Sequence, residues 1–206
     1  VGTLLIHLGM SGFLRVLQQP QLPGKHDHAD INFEGGICLR LNDVRRFGAL
    51  LWLNGDPTLH PLLADLGPEP LSAALSGNYL YQRSRGRRLA VKPFIMDSKV
   101  VVGVGNIYAS ESLFRAGIDP ARAAGRISLA RYQRLAQAIR QVLQEAIAAG
   151  GTTLRDFSDQ DGRPGYFAQQ LQVYGRAGEP CSTCGQAIVK IQLGQRSTYF
   201  CRQCQH

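Results

Sequence analysis

Four of the five cysteines lie close together near one end of the chain, as Cys181-Ser-Thr-Cys184 and Cys201-Arg-Gln-Cys204. Each Cys-x-x-Cys makes a tight knuckle that presents two sulfurs to one metal, and two knuckles at this separation have four-thiolate zinc spacing. A thioredoxin-like redox pair would use one knuckle inside a βαβ pattern, which this sequence lacks. Residues 181–206 are too few to bury an adequate core, so the metal must supply folding energy. Four protein sulfurs leave no open coordination position, so the expected ion is one structural Zn2+. Between the knuckles, Ile188–Leu193 and Ser197–Phe200 read as a hairpin around Gly194-Gln195-Arg196. The module carries Lys190, Arg196 and Arg202 and neither Asp nor Glu. These cations fit two readings equally: they offset the negative charge of a zinc tetrathiolate, or they aim positive charge at nucleic acid. Clustered rather than scattered cysteines point to metal and a reducing cytoplasm. Cys38, alone in the alternating stretch Ile37–Leu41, is expected to be an inert packed thiol.

The rest of the chain divides by pattern. Residues 3–53 read as β structure, with Leu4–Leu8 and Phe13–Leu17 flanking a Gly9-Met10-Ser11-Gly12 turn. Asp30–Phe33 and Ile37–Leu41 flank Glu34-Gly35-Gly36, a hairpin signal, and Ala49–Leu53 is a further strand. Residues 18–25 must form a loop, and the prolines 57, 61, 68 and 70 mark a domain boundary. From Leu71 to about Gly151 the pattern is helical. One helix runs from Asn106 to Arg115. A longer one starts at Ser128 as N-cap, with Leu129, Tyr132, Leu135, Ile139, Val142, Leu143, Ala146 and Ile147 on its apolar face, and stops at Gly150-Gly151. Its other face, with Arg131, Arg134 and Arg140, reads as solvated surface. Residues 152–180 form a long loop rich in Gly, Asp and Pro. The 206 residues carry 23 Lys+Arg against 15 Asp+Glu, a net charge of +8. That balance favours a polyanion, nucleic acid before an anionic membrane. No stretch approaches the roughly 18 apolar residues of a membrane span, and Val1–His7 reads as a strand rather than a signal peptide.

Val102-Gly103-Val104-Gly105-Asn106 runs an apolar stretch into two glycines and a helix start. Glycines let backbone N–H groups approach a phosphate, and a helix N-terminus favours anions. A dinucleotide fingerprint would need a third glycine and a βαβ unit, so a connection between helices is the plainer reading of the turn taken alone.

Taken in order, several segments resemble one family. They are His7-Leu8-Gly9-Met10-Ser11-Gly12, Lys25-His26-Asp27-His28, Asn42–Gly48, Lys92-Pro93 with Met96-Asp97, Val102–Ala109, Gly165-Tyr166-Phe167 and the four-cysteine module. This sequence resembles the formamidopyrimidine-DNA glycosylases along essentially its whole length, with Val44 where the family usually has proline. The resemblance implies an α+β multidomain protein. Residues 1–56 would be the C-terminal part of a β-sandwich, incomplete here, and 57–70 a linker. Residues 71–175 would be a helix-two-turn-helix domain with a lesion-recognition loop, and 176–206 a zinc finger. It implies a monomer on double-stranded DNA containing oxidised purines, in the bacterial cytoplasm and at the nucleoid, without a membrane role.

The resemblance also assigns residues. Met10, Arg45 and Phe47 would enter the duplex and fill the gap left by an extruded base: the thioether and ring replace stacking, and the guanidinium hydrogen-bonds the orphaned base. Without the family, Met10 and Phe47 could equally be core. His26, Arg45 and Arg87 match DNA contacts, as do Asn106 and Arg196 for phosphates, and Lys92 would help to recognise the lesion or its phosphate. Arg83, Arg85, Arg87 and Arg88 form a basic cluster that could also be a solvated face. Arg196 is also the family's proton donor in the second elimination; since arginine is almost always protonated, stabilising the leaving phosphate describes it better. Gly162, Gly165 and Tyr166 belong to the loop expected to close over a flipped base, or else to a simple linker. The family's nucleophile is an N-terminal proline amine that attacks the sugar C1′, expels the flipped base and forms a Schiff base. The sequence starts at Val1 without a Pro-Glu start or the family's basic hairpin, so this chain by itself is expected not to perform the glycosylase reaction. Two alternatives are an endonuclease VIII-like enzyme for oxidised pyrimidines and a non-catalytic zinc-finger DNA-binding fragment.

Overall fold

The computed structural model describes residues 2–9, 11–19, 21–151 and 167–206. The chain forms two compact units, the first ending at Ala64 and the second beginning at Asp65 and including the cysteine module.

The first unit is built of strands. β1 (Gly2–His7) pairs antiparallel with β5 (Ala49–Asn54), from Gly2 opposite Asn54 to His7 opposite Ala49. β2 (Gly12–Leu17), β4 (Cys38–Asp43) and β3 (Asp27–Asn32) form a second antiparallel sheet with β4 in the centre. The β3–β4 hairpin forms where Gly35-Gly36 is expected to turn, closed by Phe33 N–H on the Ile37 carbonyl at 2.8 Å. β1 and β2, neighbours in sequence, do not pair; the Gly9–Gly12 segment carries the chain from one sheet to the other. Gly12 donates to the Leu8 carbonyl at 2.8 Å, and a Cβ at Gly12 would lie 2.2 Å from that oxygen, so no larger residue fits there. Cys38 is buried, and burial pushes its thiol pKa up, as an inert thiol requires.

The second unit is helical. After α1 (Pro61–Ala64), which belongs to the first unit, come α2 (Gly77–Ser84), α3 (Val91–Ile95), α4 (Asn106–Arg115) and α5 (Leu129–Ala148). Helices α2 and α4 pack on α5 around Leu80, Ile95, Leu113, Ile118, Tyr132, Leu135 and Ile139. The apolar spacing of α5 predicts this face, with one exception: Ile147 is 66% exposed, at the margin of the face, although Ala146 beside it is buried against Phe167 and Leu171. The opposite face is less free than its charges suggest. Arg140 donates to the carbonyls of Ser72 and Leu75 and Arg131 to that of Gly117, so these stems tie α5 to its neighbours.

The cysteine module is part of this unit. β6 (Val189–Leu193) and β7 (Arg196–Phe200) pair from Val189 opposite Phe200 to Leu193 opposite Arg196. The turn is therefore the two residues Gly194-Gln195, both with positive φ, +52° and +60°, the geometry that matches strand twist in a tight hairpin. Phe114 of α4 packs with Val173, Cys181, Ile188 and Cys201 beneath the module. Gln205 donates to the Ile118 carbonyl at 2.9 Å while its own side-chain oxygen accepts from Cys201 N–H at 2.9 Å.

Candidate nucleic-acid interface and metal site

The four Sγ atoms of Cys181, Cys184, Cys201 and Cys204 lie within 4.8 Å of one another. Cys184 and Cys201 sulfurs are 3.4 Å apart and those of Cys181 and Cys204 3.9 Å. Tetrahedral zinc with ~2.3 Å Zn–S bonds needs sulfurs about 3.8 Å apart, so the donor set fits one structural zinc ion. Thr183 N–H points at the Cys181 sulfur at 3.4 Å, the knuckle geometry that favours a thiolate. When bound, zinc holds the two knuckles together in place of a core; the chemistry it supplies is structural.

The metal site positions a cationic cluster between α3, α4 and the hairpin. Lys92 has no exposed surface. Its ammonium donates to Asn106 Oδ1 at 2.6 Å, to the Ser197 carbonyl at 3.0 Å and to Thr198 Oγ1 at 2.8 Å. All three of its donors are engaged, so Lys92 braces Asn106 and the hairpin from behind. None of its acceptors is a carboxylate. Burial, reinforced by the charge of Arg196, lowers its pKa to about 8.

Asn106 opens α4 directly after Gly105 as N-cap. Because an ammonium can only donate, Lys92 fixes the Asn106 oxygen on its own side and turns the amide nitrogen away. That nitrogen donates to the Tyr174 hydroxyl at 3.2 Å. Tyr174 stacks edge-on against Tyr199 of β7, with ring centroids 4.9 Å apart. One and a half turns along α4, buried Glu111 accepts from the backbone N–H groups of Gln172, Val173 and Tyr174 at 2.8–3.0 Å. Arg196, first residue of β7, is exposed. Asn106, Tyr174 and Arg196 thus share one electropositive end of α4. Sequence reasoning missed Tyr174 and Glu111, since their partners lie 61–68 residues away and leave no local pattern.

Arg87 is exposed after the turn at Gly86, and its carbonyl accepts from Gly125 N–H at 3.0 Å. Neither Arg87 nor Arg88 has an acidic partner among the described residues. Arg85 differs: its guanidinium lies 3.9 Å over the Tyr81 ring and donates to the Ile127 carbonyl at 3.0 Å, so it braces α2.

In the strand unit, Asp43 organises the loop to Gly48. Its carboxylate accepts from Ser11 Oγ at 2.6 Å, Gly48 N–H at 2.7 Å and Arg45 N–H at 3.3 Å. Ser11 Oγ also accepts from Arg45 N–H at 3.1 Å. These bonds, the Ser11 hydroxyl first, hold the Asp43 carboxyl below its usual pKa. They pinch the loop at its base and join it to the Gly9–Gly12 segment, and Arg46 at its tip takes a positive φ of +56°. Val44, in place of the family's proline, is exposed and leaves this base intact. Phe47 is 57% exposed, with the Arg45 guanidinium 4.8 Å over its ring. It is therefore not a core residue. Met10, Gly162, Gly165 and Tyr166 lie outside the described residues.

His26 lies in the turn immediately before β3, its carbonyl accepting from Asp43 N–H at 2.9 Å. A register shift between Asp27 and Ala29 bends the strand there. Behind it, buried Arg40 clamps Asp30 with two bonds of 2.7 Å and also donates to the carbonyls of Gln21 and Leu22, fixing the loop that leads to His26.

No described helix is long and apolar enough to cross a membrane. Comparison with known families matches the formamidopyrimidine-DNA glycosylase N-terminal domain at residues 1–50, the formamidopyrimidine-DNA glycosylase H2TH domain at 66–158, and a zinc finger found in FPG and IleRS at 178–206. Similar proteins include the formamidopyrimidine-DNA glycosylase of Syntrophotalea carbinolica, 64% identical over 99% of this chain and 75% of that protein. That of Alkalilimnicola ehrlichii is 62% identical over 99% of this chain and 76% of its own. Among solved structures, MutM (Fpg) from Thermus thermophilus superposes with a TM-score of 0.87 at 39% identity, covering 99% of this chain and 76% of that one. Lactococcus lactis Fpg in complex with abasic-site DNA gives 0.88 at 34%, covering 100% and 75%. With its domains matched in order and such identity along nearly its full length, the chain belongs to the formamidopyrimidine-DNA glycosylase family.

Proposed function

We propose that this chain grips damaged DNA for base-excision repair, as a bifunctional glycosylase and AP lyase of oxidised purines such as 8-oxoguanine and formamidopyrimidines. The observation that carries the reading is the buried Lys92 ammonium, which has no carboxylate partner and sits behind Asn106 and beside Arg196. An uncompensated cation at a helix N-terminus favours a phosphate in front of it. Asn106, the Tyr174 hydroxyl and Arg196 are the groups that would bind one. Tyr174 accepts from Asn106 and so keeps its own O–H to donate. Arg196 would also stabilise the phosphate leaving in the second elimination. In the strand unit, Arg45 and Phe47, with Met10, are the side chains for the space vacated by a flipped base, and His26 and Arg87 are further backbone contacts. The loop containing Gly162, Gly165 and Tyr166 would cover the extruded base. The place of action would be the bacterial nucleoid. The related proteins named for this reaction, and the relatives solved with abasic-site and Fapy-dG DNA, support the reading over an oxidised-pyrimidine enzyme.

The test separates grip from chemistry. Binding to a duplex with a stable abasic analogue, titrated against salt, should give a log–log slope on the order of −4 for about five phosphate contacts. Asn106→Ala should weaken it by roughly tenfold, about 1.4 kcal/mol. A flat salt response removes the phosphate grip. Strand cleavage of an 8-oxoguanine duplex, with borohydride trapping of a Schiff base, reads the chemistry. Cleavage by residues 1–206 by themselves would mean a nucleophile other than the family's N-terminal proline amine.

A further inference from the structure

The loop that carries Arg45 and Phe47 turns through a residue that is not glycine. Arg46 has a φ of +56°, in the left-handed region that residues other than Gly, Asn and Asp seldom enter. Its two neighbours meet across that turn. The Arg45 guanidinium lies 4.8 Å from the centroid of the Phe47 ring and has no carboxylate partner among the described residues. Arg46 itself borders a cavity of about 430 Å³ together with His28, Leu41 and Leu50 of the strands. The turn is gripped from within by Asp43, whose carboxylate faces the backbone N–H groups of Arg45, Arg46 and Gly48. A second left-handed residue seats the loop from outside. Gly9 has a φ of +62°, and a Cβ there would lie 2.7 Å from the Phe47 carbonyl carbon, so the backbone preceding Met10 rests directly on that of Phe47.

We infer that Arg46 is a positioning residue: its left-handed backbone, not its charge, holds Arg45 and Phe47 as one stacked unit against Gly9, assembled before DNA arrives. The inference rests on the gap-filling role proposed above for Arg45 and Phe47. Strained backbone that persists at a working loop is held by its surroundings and limits the shapes the loop can take. A pair stacked in advance loses less freedom on entering a duplex, and a cation over a ring gains strength once water is excluded.

Three substitutions that each remove the charge separate backbone from side chain. Arg46→Asn keeps a residue that tolerates the left-handed region, Arg46→Val puts a β-branched one there, and Arg46→Ala is intermediate. In the free protein, the ring current of Phe47 should move the Arg45 Hδ signals upfield in Arg46→Asn and release them in Arg46→Val. With a duplex holding an abasic analogue and 2-aminopurine beside the unpaired base, binding should change the fluorescence in Arg46→Asn. Arg46→Val should lose most of that change and bind about tenfold more weakly than Arg46→Asn, with Arg46→Ala between. Amide exchange in β4 and β5 checks that the sheets stay intact; should Arg46→Val loosen them, the Ala and Asn variants alone decide the ranking. A signal that needs Phe47, lost in Phe47→Ala, but treats the three variants alike overturns the inference alone. So does an equal loss of affinity in all three with the salt slope reduced by about 0.9, since that assigns Arg46 a phosphate contact. A signal indifferent to Phe47→Ala overturns the gap-filling role, and this inference with it.

Discussion

In the strand unit, Leu17, Cys38 and Leu41 are the buried apolar residues among those described, whereas in the helical unit Leu80, Ile95, Leu113, Ile118, Leu135 and Ile139 have no exposed surface at all. The strands leave Leu4, Val16 and Trp52 open to solvent, with Trp52 65% exposed. What orders the strand unit is polar: Arg40 locked to Asp30 and Asp27, and Asp43 gathering Ser11, Arg45 and Gly48. The helical unit places its working groups on a packed core and a metal; the strand unit places them on hydrogen bonds. Local stability should differ accordingly.

Metal removal should have the largest effect. Structural zinc in small modules contributes on the order of 10 kcal/mol, and residues 181–206 have little else. A strong chelator should melt the hairpin that carries Arg196 and release Ser197 and Thr198 from Lys92. The α5 core should keep its helical circular dichroism, and affinity for abasic-site DNA should fall. A finger that stays ordered by NMR without metal would break the comparison at its strongest point.

Single substitutions sharpen it. Leu135→Ala opens a hole in a fully buried core and should cost about 3 kcal/mol in chemical denaturation. In the strand unit the ranking should invert. Arg40→Leu strands Asp27 and Asp30 and should destabilise that unit more than truncation of half-buried Leu53 to Ala, read by amide hydrogen exchange in β3 and β4. If Leu53→Ala costs more, burial rather than polar bonding holds the strands.

The units should also respond at opposite ends of the pH scale. Asp27, Asp30 and Asp43 all have folded pKa values below the ordinary 3.8, held down first by Asn42, Arg40 and Ser11 respectively. Their contribution is complete above that value and is lost as pH falls through the lowered ones, so the strand unit should loosen below about pH 4. Lys92 is lowered from 10.5 to about 8. Between these values the unfolded chain binds more protons, so this group's contribution to the helical unit rises with pH. Hydrogen exchange at pH 3.5, 7 and 9.5 separates the two. Exposed pairs such as Lys99 with Asp65 should add little at any pH.

These contrasts track what could be read from sequence. The zinc knuckles, their hairpin and α5 are written in local spacing, and each forms where spacing puts it. The pairing of β1 with β5 rather than with its neighbour β2 is not, because both strands alternate alike and the choice is made by a glycine turn that crosses between sheets. The burial of Lys92 is equally silent: a lysine before proline looks like surface, and its partners Ser197 and Thr198 are 105 and 106 residues away. Arg45 and Phe47 sit on a turn whose motif was legible, but the Ser11 bonds to Asp43 and Arg45 that tie its base to the other loop join residues more than thirty apart.

The smallest expected effect tests periodicity itself. Ile147 occupies the same repeating face of α5 as Val142, Leu143 and Ala146, and by spacing alone it belongs to the core. The final turn packs through Ala146 on Phe167 and Leu171, while Ile147, at the margin of the face, is left in solvent. Ile147→Lys should therefore change stability by no more than about 0.5 kcal/mol, and the lysine adds a favourable cation near the helix C-terminus. Val142, buried a turn and a half earlier, should lose several times that when cut to alanine. If Ile147→Lys proves as costly as the Val142 change, something covers the end of α5 in solution, and the helical unit's core extends further than its described residues reach.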